Sequence, residues 1–196
     1  MKIKGVIFDM DGTVVDVSYD WKKIKQELET EGKPILHFLR NLKEPEKTRK
    51  WKILEKYENK ATQNAILKEG IRKFLYFLSQ KGIKKALVTN NSRQNVDYLM
   101  EKFKLKFDCV ISRESGLWKP SGAPFKAVLK ELKLTREESC VVGDSHFDIQ
   151  AAKEAGISRV FILYKEKDQF ITTEAEVFSS VQDLKRKMEN LIEDSE

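Results

Sequence analysis

Apolar positions along the chain follow two different rhythms. Ile3-Lys4-Gly5-Val6-Ile7-Phe8 is a short run, apolar enough to be buried on both faces, and predicts a strand inside a covered sheet. It stops at Asp9-Met10-Asp11-Gly12-Thr13, where Gly12 is a turn residue. From Asp16 to Gly70 the spacing is helical, the surface is rich in Lys and Glu, and no convincing strand is present. Three helices are predicted there. The first carries Trp21, Ile24 and Leu28, with Asp20 as a candidate N-cap. The second follows Pro34 with Leu36, Leu39 and Leu42, and the third follows Pro45 with Trp51, Leu54, Tyr57 and Ala61. Proline suits a helix start and breaks a helix interior, so the two prolines separate the three.

After Gly70 the chain alternates helix and strand. Helices are predicted over Ile71–Gln80, Gln94–Phe103, Ala123–Leu132, Phe147–Ala155 and Val181–Ile192. Strands are predicted over Ile83–Thr89, Phe107–Ser112, Ser139–Gly143 and Val160–Leu163, with a weaker one near Glu176-Val177-Phe178. The tail Glu193-Asp194-Ser195-Glu196 is acidic and expected to fray. Such alternation implies an α/β fold, a Rossmann-like three-layer core with a parallel sheet covered by helices on both faces. Ligands of such sheets bind beyond the carboxyl ends of the strands.

Composition narrows the function classes. The 196 residues fit one domain or a core with a modest insertion, and 40% hydrophobic residues supply a core. No apolar run is long enough to span a bilayer. No apolar stretch with a small-residue cleavage site follows the first residues, so a cytoplasmic location is expected. Cys109 and Cys140 are too few for a disulfide framework and are expected to be inert core thiols. The formal charge of +6 leaves nucleic acid, an anionic membrane or an anionic small molecule open as a partner.

Four polar clusters fall where the predicted core strands end. They are Asp9-x-Asp11-Gly12-Thr13, Thr89-Asn90-Asn91-Ser92, Lys119-Pro120 and Gly143-Asp144-x-x-x-Asp148. A parallel sheet brings these ends to one edge, gathering carboxylates, an ammonium and a hydroxyl in one cleft. That set suits Mg²⁺-assisted phosphoryl transfer. Carboxylates are the ligands hard Mg²⁺ prefers. Lys and Thr donors stabilise charge on the transferring oxygens. A second Asp two residues from a nucleophilic Asp can protonate the leaving group and then activate water. Crowding by its neighbours' charges is expected to raise that second carboxyl's pKa.

These motifs, in this order, resemble those of the haloacid dehalogenase superfamily, in the phosphatase branch that includes phosphoglycolate phosphatases. The resemblance covers Ile3 to about Ile157 and includes Pro124-Phe125 after the Lys-Pro. It implies a nucleophile at Asp9, which also ligates Mg²⁺, and a general acid/base at Asp11, whose backbone carbonyl reaches the metal. It implies that Thr89 and Lys119 hold the phosphoryl oxygens, assisted by backbone N–H groups near Gly12 and Asn90. It implies metal ligation by Asp144, and by Asp148 either directly or through a water or Lys119. It also implies that residues 16–70 form a small helical cap domain, inserted after the first strand into a core of 1–15 and 71–196. The expected partner is a small anionic phosphorylated substrate.

Plainer readings stand beside these. Asp9, Asp11, Asp144 and Asp148 could be turn or capping carboxylates, and Thr89 an N-cap; the four motifs together favour chemistry. His37 is read as a surface or packing residue, His146 as a neighbour of the cleft at most, and Trp118 as a possible cleft residue. Trp21, Trp51 and Tyr57 are read as packing of the inserted helices, and Arg40, Arg49 and Lys50 as solvated faces. A phosphomutase or a phosphonatase on the same scaffold is the alternative enzyme, and a basic binding module the alternative without chemistry. The absence of a basic strip with interleaved aromatics argues against nucleic acid.

Overall fold

A computed structural model describes residues 2–193. The acidic tail beyond residue 193, expected to fray, lies outside the described residues. The first strand, β1 (Gly5–Phe8), has all four residues buried. It is followed by β2 (Val15–Asp16), then α1 (Trp21–Leu28), α2 (Ile35–Arg40), α3 (Glu46–Gln63) and β3 (Ile66–Leu67). The remaining elements alternate: α4 (Ile71–Gln80), β4 (Lys84–Val88), α5 (Arg93–Phe103), β5 (Cys109–Ile111), α6 (Ala123–Glu131), β6 (Ser139–Gly143), α7 (His146–Ala155), β7 (Arg159–Leu163), β8 (Glu176–Phe178) and α8 (Val181–Glu193).

Six strands form one sheet in the order β5-β4-β1-β6-β7-β8, and every pairing in it is parallel. β1 lies inside, between β4 and β6, which explains why its sequence has no polar face. Alternation along it splits the core in two. Val6 and Phe8 face one cluster with Phe74, Leu87, Leu99 and Met188. Ile7 faces the other with Phe125, Val141 and Ile149. A Cβ at Gly5 would stand 2.3 Å from Leu134 Cδ1, so any larger residue there would push that side chain aside. The motif-bearing segments after β1, β4, β5 and β6 therefore converge on one edge of the sheet.

The inserted helices form as their sequence suggests. Asp20 caps α1 by accepting from the Lys23 N–H at 3.0 Å, and Pro34 and Pro45 stand at the starts of α2 and α3. The three pack around their own cluster of Ile24, Leu28, Leu36, Leu39 and Leu54.

Two expectations need correction. The segment from Asp16 to Gly70 is not free of strands: β2 and β3 pair antiparallel at its two ends, Val15 opposite Leu67 and Asp16 opposite Ile66. Strands of two residues carry no readable alternation. Cys140 is a buried core thiol, but Cys109 is half-buried, because β5 is an edge strand. Among the described residues, no helix is long and apolar enough to cross a membrane.

Candidate active site

The loop after β1 is fixed by its backbone. The Asp9 N–H donates to the Val142 carbonyl at 2.9 Å, and the Met10 carbonyl accepts from the N–H groups of Val14 and Val15 at 2.9 and 3.0 Å. Gly12 takes a φ of +83°, and a Cβ there would meet Asp144 Oδ2 at 1.9 Å. The glycine thus lets this turn pass against the loop after β6.

The loop after β4 is cross-braced. Thr89 is buried, its N–H donates to the Ile111 carbonyl at 3.0 Å, and its Oγ1 accepts from the Asn91 N–H at 3.1 Å. Asn90 does something its motif position does not reveal. Its amide clasps the backbone of Lys119 from both sides, Nδ2 donating to the carbonyl and Oδ1 accepting the N–H, each at 2.9 Å. Its side chain is thus a brace for the lysine.

Lys119 Nζ donates to Asp9 Oδ1 and to Asp148 Oδ1, each at 2.6 Å, and all three side chains are buried. Asp148 Oδ2 accepts from the Ser145 hydroxyl at 2.7 Å and from the N–H groups of Ser145 and Asp144 at 3.2 and 3.3 Å. Both Asp148 oxygens are therefore engaged, one with the ammonium and one with the N-cap residue of α7 and the residue before it. A Cβ at Gly143 would stand 2.3 Å from the Asp148 carboxyl carbon, so that carboxylate can lie against the strand end only because residue 143 is glycine.

Carboxylate oxygens of Asp9, Asp144 and Asp148 all lie within 4.8 Å of one another. Asp11 Oδ2 accepts from Asn91 Nδ2 at 2.9 Å and from the Tyr19 hydroxyl at 3.3 Å. Its Oδ1 is buried with no hydrogen-bond partner among the described residues. An all-oxygen, anionic donor set beside an orphaned carboxylate oxygen fits a hard divalent cation such as Mg²⁺.

The electrostatics follow from this crowding. Burial raises the Asp9 pKa well above the usual carboxylate value; Lys119 opposes this, and Asp148, Asp144 and Asp11 add to it. The Asp11 carboxyl is raised, as expected, but the cause is burial, opposed by the hydrogen bonds from Asn91 and Tyr19. Asp144 is pushed up to about 7 by burial and by Asp148. Burial disfavours the charged Lys119, yet Asp148 and Asp9 outweigh it and raise its pKa.

A cleft of about 1220 Å³ opens above these groups. Asp9, Asp11, Gly12, Thr89, Asn90, Lys119 and Asp144 line it from the sheet edge, while Tyr19, Trp21, His37, Arg40 and Glu58 line it from the inserted helices. Trp118 also lines it, donating its indole N–H to the Arg113 carbonyl at 2.7 Å, with the Arg40 guanidinium 5.6 Å above its ring. His37 and Arg40 are exposed, as their sequence suggests, and lie on the cleft wall, whereas Trp21 is exposed there instead of packed among the inserted helices. Lys50 is no solvated residue: it is buried and donates to the Leu28 carbonyl at 2.7 Å and to Glu29 at 2.8 Å. His146 stacks on Phe170 with ring centroids 4.5 Å apart.

Four participants carried no sequence signal of their own. Asn91 lay unranked within its cluster. Tyr19 and Glu58 lie in the insertion, where a polar residue looks like a solvated one. Arg113 is tied to the site only through space: its Nη2 donates to Glu58, its Nε donates to the Asn90 carbonyl at 3.0 Å, and its guanidinium lies over Trp51. Burial raises the Glu58 carboxyl to about 7 even with Arg113 opposing.

The Asp9 and Asp11 carboxylates, a bridging lysine and an acidic cluster that fits a metal thus meet at one edge of a parallel sheet. The family model described as haloacid dehalogenase-like hydrolase matches residues 6–162, and the chain belongs to that family. Over 188 residues it is 30% identical to a protein of Caldanaerobacter subterraneus provisionally named pyrophosphatase PpaX, covering 83% of this chain and 82% of that one. It is 29% identical over 184 residues to the phosphorylated carbohydrates phosphatase of Thermotoga maritima, covering 81% of this chain and 84% of that one. The fold matches the crystal structure of CbbY from Rhodobacter sphaeroides in complex with phosphate, with a TM-score of 0.71, 22% identity, and coverage of 93% of this chain and 96% of that chain.

Proposed function

We propose that this hydrolase is a Mg²⁺-dependent phosphatase of small phosphorylated metabolites, working through an aspartyl-phosphate on Asp9. The observation that carries the reading is Lys119 Nζ, held at 2.6 Å from both Asp9 and Asp148 at the floor of the cleft. An ammonium there opposes the burial that raises the Asp9 pKa, favouring the ionised nucleophile, and meets the incoming phosphoryl oxygens. Thr89 and the backbone N–H groups near Gly12 and Asn90 supply further donors.

Asp9 attacks phosphorus in line as the bond to the leaving oxygen breaks. Asp11 gives that oxygen its proton, then takes one from the water that hydrolyses the acyl phosphate. The Asp11 pKa is raised by burial, the direction a general acid needs. Asn91 and Tyr19 fix one of its oxygens and leave the other for the substrate. Mg²⁺ would be held by Asp9, Asp144 and the Asp11 carbonyl, with Asp148 beside them, and it supplies charge neutralisation between phosphate and nucleophile.

Residues 16–70 are proposed as a small cap domain on a core of 1–15 and 71–196. Their own apolar cluster and their share of the cleft wall support this. The test is a screen of phosphorylated metabolites with the wild type and Asp9→Asn in parallel, with and without Mg²⁺. Metal-dependent phosphate release lost in the variant is expected; equal release by both proteins removes the reading.

A further inference from the structure

Among the described residues, five buried side-chain oxygens have no hydrogen-bond partner: Asp11 Oδ1, Thr13 Oγ1, Thr30 Oγ1, Glu58 Oε2 and Thr62 Oγ1. Only the two carboxylates belong to residues that line the cleft. A buried acceptor left unmet carries its full desolvation penalty, so a buried orphan calls for an explanation. Asp11 has one, the leaving oxygen. Glu58 has no part in the chemistry, yet it is held as firmly. Its Oε1 is tied to Arg113, which is itself anchored on the Asn90 carbonyl and packed over Trp51. That leaves Oε2 fixed in place and unmet. Asn90, on which Arg113 is anchored, is the chain neighbour of Asn91, whose amide holds Asp11.

We propose that Glu58 Oε2 reads the leaving group, accepting a hydrogen bond from a hydroxyl or ammonium close to the scissile ester. The inference rests on the phosphatase reading. Both orphan oxygens are closed off from bulk water and belong to residues that line the same cleft. A donor-bearing substrate that reaches Oε2 satisfies Glu58. A substrate carrying an anion at that point offers Oε2 no donor and is disfavoured. The substrate class is therefore a phosphate ester of a polyol, sugar or amino alcohol. Esters of small carboxylic acids, and pyrophosphate, are disfavoured. A site built to bond a donor discriminates steeply against the analogue that lacks it.

The experiment compares kcat/KM for four esters that differ at the carbon next to the ester carbon, with an aryl phosphate and pyrophosphate alongside. Glycerol 1-phosphate offers a hydroxyl there, phosphoethanolamine an ammonium, propyl phosphate no donor and phosphoglycolate a carboxylate. The wild type is expected to favour one of the first two over propyl phosphate by about 100-fold or more, and to turn over phosphoglycolate and pyrophosphate worst. Which of the two leads identifies the donor. In Glu58→Gln, and again in Glu58→Asp, the ratio to propyl phosphate within the same protein is expected to fall at least about tenfold. Taking the ratio within one protein cancels any loss of folded enzyme, and the wild-type ratio stands if neither variant folds. A wild-type ratio near one, a preference for phosphoglycolate or pyrophosphate, or a ratio kept in the variants overturns the inference. Turnover of the aryl phosphate with none of the four alkyl esters overturns it too, and leaves the phosphatase reading intact. No turnover of any phosphate compound removes that reading instead.

Discussion

Lys119 sits buried between two buried carboxylates, and its worth follows from what it leaves behind. Removing one partner of a buried ion cluster costs about 3–5 kcal/mol, because the remaining charges stay unpaired. Lys119→Met in EDTA is therefore expected to lose about that much stability in urea unfolding at pH 8. The loss is expected to shrink as pH falls, because burial raises the Asp9 pKa and that carboxylate takes up its proton early. Asp144 gives a second test. Its pKa of about 7 in the folded protein lies above its ordinary 3.8, so its contribution to stability is present at low pH and lost as pH rises through 7. Metal must displace that proton. Mg²⁺ is thus expected to bind more tightly at pH 8 than at pH 6, by up to about tenfold per pH unit below the pKa, as followed by thermal shift. A pH-independent Mg²⁺ affinity contradicts the assignment of Asp144 as a ligand. At this scale, residues at strand ends were legible, because short motifs of turn and acidic residues mark where a buried strand stops. Glu58 and Arg113 were not, because their pairing joins positions 55 residues apart and neither side chain carries a local pattern.

At the scale of elements, periodicity exposed the helices and the longer strands, since each buries a stripe or a whole run. It missed β2 and β3, whose pairing is set by the two chain ends of the insertion meeting. That ribbon matters to the site. Lys68 on one side of it pairs with Asp16 on the other at 2.6 Å, tying the insertion's exit to its entry. The far end of α3 is tied as well: Lys102 on α5 donates to the carbonyls of Gln63 and Ala65 at 3.0 and 2.9 Å. The inserted helices thus meet the core through several polar anchors while burying apolar surface mainly among themselves. Leu39, fully buried in their cluster, is the place to separate the two. Leu39→Ala is expected to cost about 2–5 kcal/mol locally. Limited proteolysis should then cut faster within 20–64 while cleavage elsewhere is unchanged. Uniformly faster cleavage along the chain would mean that insertion and core unfold as one.

For the molecule as a whole, the +6 charge is unevenly spread. Residues 17–70 hold 13 Lys and Arg against 9 Asp and Glu, while the carboxylates gather at the sheet edge they face. A basic wall opposite a metal-fit acidic floor suits attraction of an anionic small molecule. Long-range attraction of this kind is screened by salt, so kcat/KM for an anionic substrate is expected to fall as ionic strength rises from about 0.01 to 0.15 M, with kcat little changed. The central claim, however, is covalent. Wild-type protein mixed with labelled phosphate ester and quenched in acid within a turnover is expected to carry label on the peptide containing Asp9, and Asp9→Asn none. Rapid phosphate release with no label on the protein, or release undiminished in Asp9→Asn, would contradict it.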